Sequence, residues 1–288
     1  MNSVMKKIIF LLPVFALLAM MANAQQVLDS PPLDGAYVKS NVIEKKPISY
    51  AYVREADVIW SKRIWRMIEF KEKMNQPFYY PEVPHNNWRI FMTVIMDALK
   101  EGTITAYNAD SPTDEFIIPL TYQELMSGME REETVSLTRS YPPYDSYDTI
   151  MSIKFSPSDV KRIRIKEDMF FDKQRSVTET RIIGICPVKD NIDPKTGESR
   201  GDQPLFWINF PEARPVFAKA EVFNRQNSAA KMTYDDLFWK RMFSSYIYKE
   251  ENVYDRKIIE YATGLDAMLE SERIKNDLFM FEQNLWEY

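Results

Sequence analysis

The sequence predicts an α+β fold in which several helices pack on a small antiparallel β-meander, with an extended N-terminal arm and an amphipathic C-terminal helix. Three observations lead to this class. Helical and strand-like patterns are interleaved without regular βαβ units, internal repeats and low-complexity tracts are absent, and only 7 of the 288 residues are glycine. So low a glycine content argues against Gly-rich phosphate loops, dinucleotide-binding turns and glycine-paced β-solenoids.

The first 24 residues have the pattern of a secretory signal peptide. Two lysines precede a mostly apolar run from Ile8 to Met21, and the small residues of Ala22-Asn23-Ala24 suit signal peptidase. The apolar run is short for a membrane span. Because no cysteine stands near the cleavage site, we do not expect a lipid anchor on the chain itself. We expect residues 25–288 to be exported, with any membrane association made through a partner.

The charge and cysteine content narrow the partners and the redox chemistry. Removing the two signal-peptide lysines from the 37 basic residues leaves 35 against 42 acidic residues, a net charge of −7. This balance makes nucleic acid an unfavourable partner. The single cysteine, Cys186, cannot form an intramolecular disulfide, and its apolar neighbours predict a small buried side chain. Sixteen tyrosines and seventeen phenylalanines predict large aromatic contact surfaces.

Residues 25–47 are predicted to form the extended arm, and residues 48–288 the α+β domain. The arm contains Pro31-Pro32 and Pro47 among isolated apolar residues without a sustained period. Such a terminus either stays unattached or docks on a neighbouring subunit. Within the domain, the sequence leaves open a subdivision near residues 141–150.

The longest helical pattern before the C-terminus runs from Arg54 to Pro81. Acidic residues lie in its first turn, lysines lie in its last, and Pro77 ends it. Trp65 falls on the opposite face from the apolar stripe and needs a cover, which comes either from the same chain or from a partner subunit. At about 100° per residue the stripe contains Ala56, Trp60, Ile64, Met67 and Met74.

A second helix is predicted from Trp88 to Glu101, with Gly102 as its stop. Short strands are expected over residues 103–107 and 116–119. A capping box formed by Thr121 and Glu124 then begins a short helix that ends near Gly128. These elements make the first half of the domain a mixture of helix and strand.

A tyrosine-rich segment, Tyr141–Tyr147 (YPPYDSY), follows a predicted strand over Thr134–Thr138. Its two prolines disfavour regular structure. We interpret the segment as an irregular aromatic loop.

The predicted meander occupies the centre of the second half. Ile163–Phe171 and Val177–Val188 read as the two strands of a hairpin joined by a turn over Asp172–Ser176. A third strand, Pro204–Phe210, follows a polar tip around Asp193–Gly197. Strong alternation and turn residues predict antiparallel pairing of all three strands.

The remaining elements are a helix start, a strand and a long helix. Thr233 and Asp236 bracket the helix start, and Tyr246–Lys249 alternates as a strand. From Leu265 onward the chain is helical, with one apolar stripe formed by Ala267, Ile274, Leu278, Phe281 and Leu285.

No convincing metal or nucleophilic centre is found, and neither a catalytic residue nor a cofactor is predicted. His85, the single histidine, lies in a proline-flanked loop without a nucleophile signature. One His and one Cys cannot supply a tetrahedral zinc site without several carboxylates. Four acidic residues near the predicted hairpin tip lack the EF-hand spacing and are interpreted as a solvated turn: Asp190, Asp193, Glu198 and Asp202.

Two functional classes remain open from the residues alone. The first is a protein-interaction role, which is favoured by the aromatic content and by the lack of a convincing metal or nucleophilic centre. The alternative is an extracytoplasmic carbohydrate-active or carbohydrate-binding protein that uses exposed aromatics and a carboxylate pair. The candidate acids are Asp114-Glu115, Glu130 to Glu133 and Asp235-Asp236, although such pairs are abundant in any acidic chain.

Four stretches together resemble the GldN/PorN family. They are Arg54–Pro81, Phe170–Gln174 (FFDKQ), Trp207–Arg214 (WINFPEAR) and Tyr234–Arg241 (YDDLFWKR). The resemblance implies a periplasmic component of the type IX secretion and gliding-motility machinery of Bacteroidota. It further implies a ring built with an outer-membrane lipoprotein of the GldK/PorK type and linked to an inner-membrane motor that includes a GldM/PorM component. It implies no catalytic residues.

Aromatic residues outside the predicted stripes are our candidates for subunit contacts, because interface cores favour aromatic side chains. They are Tyr37, Trp65, Tyr141, Tyr144 and Tyr147.

Overall fold

An antiparallel sheet of eight strands organises the fold. The computed structural model describes residues 44–84, 87–109, 115–142, 144–192, 199–227 and 229–285, all of them within the compact unit Val42–Tyr288. The sheet strands are β1 (Val58–Glu69), β2 (Ala106–Asn108), β3 (Pro119–Leu120), β6 (Val160–Asp172), β7 (Val177–Ile192), β8 (Ser199–Pro204), β9 (Phe206–Asn209) and β12 (Tyr246–Glu250).

Two strand pairs, five α-helices and four short 3-10 helices complete the described elements. The pairs are β4 (Arg131–Thr138) with β5 (Ser146–Ile153), and β10 (Glu221–Val222) with β11 (Met232–Thr233). The helices are α1 (Phe91–Glu101), α2 (Tyr122–Met129), α3 (Phe210–Phe217), α4 (Tyr234–Trp239) and α5 (Leu265–Asn284). The predicted α+β class is confirmed.

The sheet is larger than the three-stranded meander that the sequence predicts. Its strands follow the order β12-β1-β6-β7-β9-β2-β3, and β8 pairs with β7 outside this path. β6 and β7 form the predicted hairpin, with Phe171 opposite Thr178 and Ile165 opposite Ile185. The predicted third strand corresponds to β9, and β8 lies just before it; both strands pair with β7.

The helix predicted over Arg54–Pro81 is wrong, because its central part is strand β1. β1 pairs with β6 on one side and with β12 on the other, so its backbone groups are satisfied within the sheet. Apolar residues on both faces of the strand are buried, including Ile64 and Ile68 on one face and Trp65 and Met67 on the other. A strand covered on both faces does not alternate, and its residues at spacings of three and four imitate a helical stripe.

The other helix predictions have mixed outcomes. α1 ends at Gly102 as predicted, with a left-handed φ of +72°, but it begins three residues later than Trp88. Both capping boxes are confirmed, at Thr121 for α2 and at Thr233 for α4. α3 replaces the end of a predicted strand. Its two prolines obscure the helical pattern, although one of them occupies the first turn, where the missing N–H costs nothing.

The largest core lies between the sheet and helices α1, α3 and α4. Phe78, Phe91 and Phe238 have ring centroids within 5.6 Å of one another, and Phe217 lies 5.1 Å from Phe91. The hydroxyl of Tyr234 donates to the carbonyls of Pro77 at 3.1 Å and Arg89 at 2.8 Å. Burial raises the pKa of Tyr234, so the hydroxyl stays a neutral donor inside this core.

Helix α5 packs at the β12–β1 end of the sheet. Ile274 and Leu278 are buried in a second cluster with Ile64 of β1. The backbone N–H of Ile247 in β12 donates to Ser271 Oγ at 3.1 Å, which satisfies a buried group of that strand. The helix is therefore held by both apolar packing and a hydrogen bond.

Candidate interaction surfaces

The segment 131–153 forms a hairpin outside the main sheet, which we call the tyrosine hairpin. β4 and β5 pair in register from Arg131 opposite Ile153 to Thr138 opposite Ser146. At its tip, Arg139 N–H donates to Asp145 O at 3.1 Å and Tyr144 N–H donates to Tyr141 O at 3.0 Å. The predicted loop is therefore shorter than expected, since Tyr147 already belongs to strand β5.

The structure brings three of the predicted contact residues together at this tip. The exposed fractions of Tyr141 and Tyr144 are both 62%, and that of Tyr147 is 44%. Arg139, which sequence reasoning missed, places its guanidinium 5.9 Å from the ring of Tyr141 and 5.6 Å from that of Tyr147. This cation orients two of the rings while leaving them accessible. The signal in the sequence was the position of Arg139, two residues before Tyr141.

Tyr144 has a left-handed backbone conformation, with φ at +56°. This conformation is unfavourable for a residue with a bulky side chain and is ordinarily taken by Gly, Asn or Asp. A strained tyrosine that is also well exposed contributes little to folding.

Trp65 is a core residue, and the reason for proposing it as a contact residue is wrong. Its exposed fraction is 5%, and it packs with Cys186, Val188 and Trp207. The ammonium of Lys249 lies 4.3 Å from the indole centroid. The cover is thus supplied by the same chain, which is the first of the two alternatives stated above. The off-stripe position came from assigning a helix where the chain forms a strand.

Tyr37 and most of the predicted arm lie outside the described residues, as do His85, Asp114, Asp193 and Glu198. Among the other chemical candidates, Cys186 is a buried thiol whose Sγ donates to Pro187 O at 3.5 Å. Asp190 and Asp202 both form ion pairs with Arg162, so their oxygens already neutralise a guanidinium. No group of three His, Cys, Asp or Glu side chains suited to a metal ion occurs in the described part of the chain.

The acidic pair Asp235-Asp236 is committed to structural partners. Asp235 binds Arg214 of α3, with 2.8 Å between Nε and Oδ1 and 3.3 Å between Nη2 and Oδ2. The aromatic rings of Tyr50 and Trp239 lie 4.5 Å and 4.8 Å from the Arg214 guanidinium. Asp236 caps α4 through Thr233 and forms an ion pair with Lys45. This arrangement fastens α3, α4 and the segment before β1 together. Because both carboxylates bind cationic partners, they are not available as the catalytic pair of a glycosidase.

A second charged junction surrounds Glu167, whose side chain is fully buried in β6. Its Oε2 accepts from Arg66 Nε of β1 at 3.0 Å, and its Oε1 accepts from Arg241 Nη2 at 2.8 Å. Arg241 follows α4 directly. The ion pairs therefore connect the sheet to the helical layer, and the carboxylate has no lone pair directed at solvent.

Comparison with known proteins identifies the family. Residues 53–287 match the family described as "Gliding motility associated protein GldN". The chain belongs to the GldN family. No curated protein sequence is significantly similar to the chain. Membership of the GldN family connects the protein with gliding motility and type IX secretion, and GldN proteins are not a known enzyme family.

The GldN resemblance stated from sequence is thereby confirmed, and the structure shows what two of its motifs do. Arg214 ends WINFPEAR, whereas Asp235 and Trp239 belong to YDDLFWKR, and the three side chains meet in one cluster in which Arg214 and Asp235 are buried. These GldN-like motifs build the interior of the fold. Within the described residues, no helix has the length and apolar composition needed to span a bilayer.

Proposed function

We propose that this GldN-family protein is a non-enzymatic structural subunit of the type IX secretion and gliding machinery. It is exported to the periplasm and assembles with an outer-membrane lipoprotein of the GldK/PorK type into a ring on the inner face of the outer membrane. A motor component of the GldM/PorM type is the expected link to the inner membrane. The family match over residues 53–287 is the observation that carries this proposal.

Two features of the chain support an assembly role. The signal-peptide pattern of the first 24 residues suits export, and two of the acids considered for catalysis, Asp235 and Asp236, form ion pairs with Arg214 and Lys45. The charged groups that join the layers of this fold are not available to a partner, so a binding site has to be formed by exposed residues.

The tyrosine hairpin is the surface we assign to the lipoprotein partner. Its tip combines exposed aromatic rings, a neighbouring guanidinium and a strained backbone at Tyr144. Tyrosine and arginine are the residue types that contribute most to binding energy in protein interfaces. A projecting hairpin also reaches a partner without disturbing the main sheet.

Affinity purification from detergent-solubilised outer membranes tests the proposal. The tagged protein should elute in size-exclusion chromatography at very large mass, and mass spectrometry of the peak should find a GldK/PorK-like lipoprotein. An untagged strain processed in parallel is the control for adventitious capture. Elution as a lone monomer from freshly solubilised membranes would contradict the proposal.

A further inference from the structure

Helix α5 has apolar side chains on two sides, and only one of them packs on the sheet. Ile274 and Leu278 face inward. At about 100° per residue, a second group of five apolar residues falls, together with Glu272 and Lys275, in a separate sector of roughly 140°. We call this sector the outward α5 face, and its exposed fractions are 70% at Leu265, 70% at Met268, 60% at Leu269, 62% at Phe279 and 50% at Met280.

The middle of the outward α5 face is charged. Glu272 and Lys275 lie in the same sector between the two apolar ends, with 3.1 Å between Lys275 Nζ and Glu272 Oε1. Their side chains are 57% and 55% exposed, so each has free hydrogen-bonding capacity toward solvent. Along the helix axis the surface therefore runs from apolar through charged to apolar. Exposed apolar residues clustered at each end of such a surface are typical of interaction sites.

This pattern is complementary to itself when one helix is reversed. A second α5 packed antiparallel about a twofold axis near residue 274 places Met268 and Leu269 against Phe279 and Met280 of the other copy. The same rotation places Glu272 opposite Lys275, twice by symmetry. A parallel arrangement would instead place Glu272 beside Glu272 and Lys275 beside Lys275. The order of charges thus favours a second copy of α5 as the partner and an antiparallel orientation of the two helices.

We propose that the outward α5 face binds the same face of a second copy of this chain in antiparallel orientation. The inference rests on the proposed function, in which the subunit self-assembles, and it adds a twofold contact that joins subunits in pairs and is separate from the head-to-tail contacts that close a ring. Because one helical face buries little area, the contact is weak and concentration-dependent in the isolated protein. It becomes effective when a common scaffold holds copies together.

Sedimentation velocity on the purified protein over a range of concentrations tests the contact. The wild type should associate reversibly, and Leu269→Asp should weaken association by about tenfold or more, because it places a charge in an apolar contact. Ile117→Asp is the matched control, since Ile117 is 61% exposed near the opposite edge of the sheet, and it should associate as the wild type does. Circular dichroism checks that both variants are folded. A wild type that is monomeric at every concentration overturns the inference.

Charge reversal tests the direction. Lys275→Glu should weaken association because it faces Glu272 of the other copy, and the double variant Glu272→Lys with Lys275→Glu should restore it. Failure of the double variant to recover would count against antiparallel pairing.

Cysteine crosslinking gives an independent measure of the same geometry. Met268→Cys and Phe279→Cys should form a mixed disulfide when combined and no disulfide when either is oxidised alone, while the native Cys186 is buried. A Met268→Cys homodimer would overturn the proposed orientation.

Failure of this inference is separable from failure of the proposed function. If the purified chain is monomeric but still recovers the lipoprotein from membranes, only the α5 contact is refuted. If the chain self-associates through α5 but recovers no lipoprotein, the contact stands and the assembly proposal fails.

Discussion

Arg214 and Asp235 form an ion pair inside the protein, with 2.8 Å between Nε and Oδ1 and side chains that are only 5% and 8% exposed. The pair joins α3 to α4, and the rings of Tyr50 and Trp239 cover the guanidinium. Both charges depend on each other, since a buried charge without its partner is strongly unfavourable. The fold of this chain is therefore sensitive to either residue.

Asp235→Ala should lower the free energy of unfolding by about 3–5 kcal/mol, because it leaves Arg214 buried without a counter-charge. Urea unfolding followed by tryptophan fluorescence measures the change. Asp97→Ala is the matched control: its ion pair with Arg89 is 48% and 42% exposed and should contribute no more than about 1 kcal/mol. If Asp235→Ala does not fold, replacing the pair by Arg214→Met with Asp235→Leu should restore folding. Equal small losses for Asp235→Ala and Asp97→Ala would refute this reasoning.

Gly184→Ala should destabilise the protein by about 1–3 kcal/mol through overpacking. An added Cβ would stand 2.7 Å from Phe116 Cζ and 3.3 Å from Trp207 Cε3. Gly128→Ala should have the opposite sign and stabilise α2 by about 0.5–1 kcal/mol, because nothing lies within 4 Å of that Cβ. Thermal or urea unfolding of the two variants measures the sign and size of both stability changes. Combining Gly184→Ala with Phe116→Ala should remove most of the overpacking, and an undiminished loss would locate the strain elsewhere.

Lowering the pH should weaken the N-terminal cap of α4, because it protonates the carboxylate of Asp236. Burial alone would raise the pKa of Asp236, but hydrogen bonds from Lys45 and Thr233 outweigh it and hold the pKa below its ordinary value of 3.8. A lowered pKa in the folded state stabilises the protein above that ordinary value, and this stability is lost as the pH falls through the folded pKa. The stability difference between wild type and Asp236→Asn should therefore be largest near neutral pH and shrink below pH ~4.

Urea unfolding at pH 7 and pH 3 measures this difference, because the other carboxylates are common to both proteins. Lys45→Met provides the control, since removing the ion pair should bring the pKa of Asp236 closer to its ordinary value and reduce the effect. A difference that stays constant with pH would show that Asp236 does not contribute through its charge.

Tyr144→Gly should separate stability from binding. Glycine adopts the left-handed conformation at φ +56° without strain, so the variant should be as stable as the wild type or more stable by no more than about 1 kcal/mol. If the tyrosine hairpin contacts the lipoprotein partner, recovery of that partner should nevertheless fall. Tyr52→Ala is the control, because Tyr52 is 88% exposed in the segment before β1. Unchanged recovery by Tyr144→Gly would remove this residue from the interface.

Local signals in the chain were sufficient for much of the second half of the fold. The alternation of Ile163–Phe171 and the turn that follows led to the hairpin of β6 and β7, and two capping boxes marked the starts of α2 and α4. These signals depend on neighbours within four residues, so the sequence contains all the information that they require. The prolines also led to the irregular turn that contains Tyr141 and Tyr144, but they gave no sign that Tyr147 belongs to strand β5.

Strand β1 shows where such reasoning fails. Whether Val58–Glu69 is helix or strand is decided by β6 and β12, which lie about a hundred and two hundred residues further along the chain and supply its hydrogen bonds. The choice then determines the place of Trp65, which is an exposed indole on a helix but a buried one in a sheet covered on both sides. Pairing across such distances leaves no periodic trace in the strand itself.

Residue identities and short spacings are enough to recognise the family, the α+β class and the capped helix starts, because each depends on neighbouring positions in the chain. Only the tertiary structure decided which charges pair and which apolar surfaces remain open. Arg214 meets Asp235, Glu167 meets Arg241, and the outward α5 face is exposed among the described residues, since all three follow from how distant elements pack together.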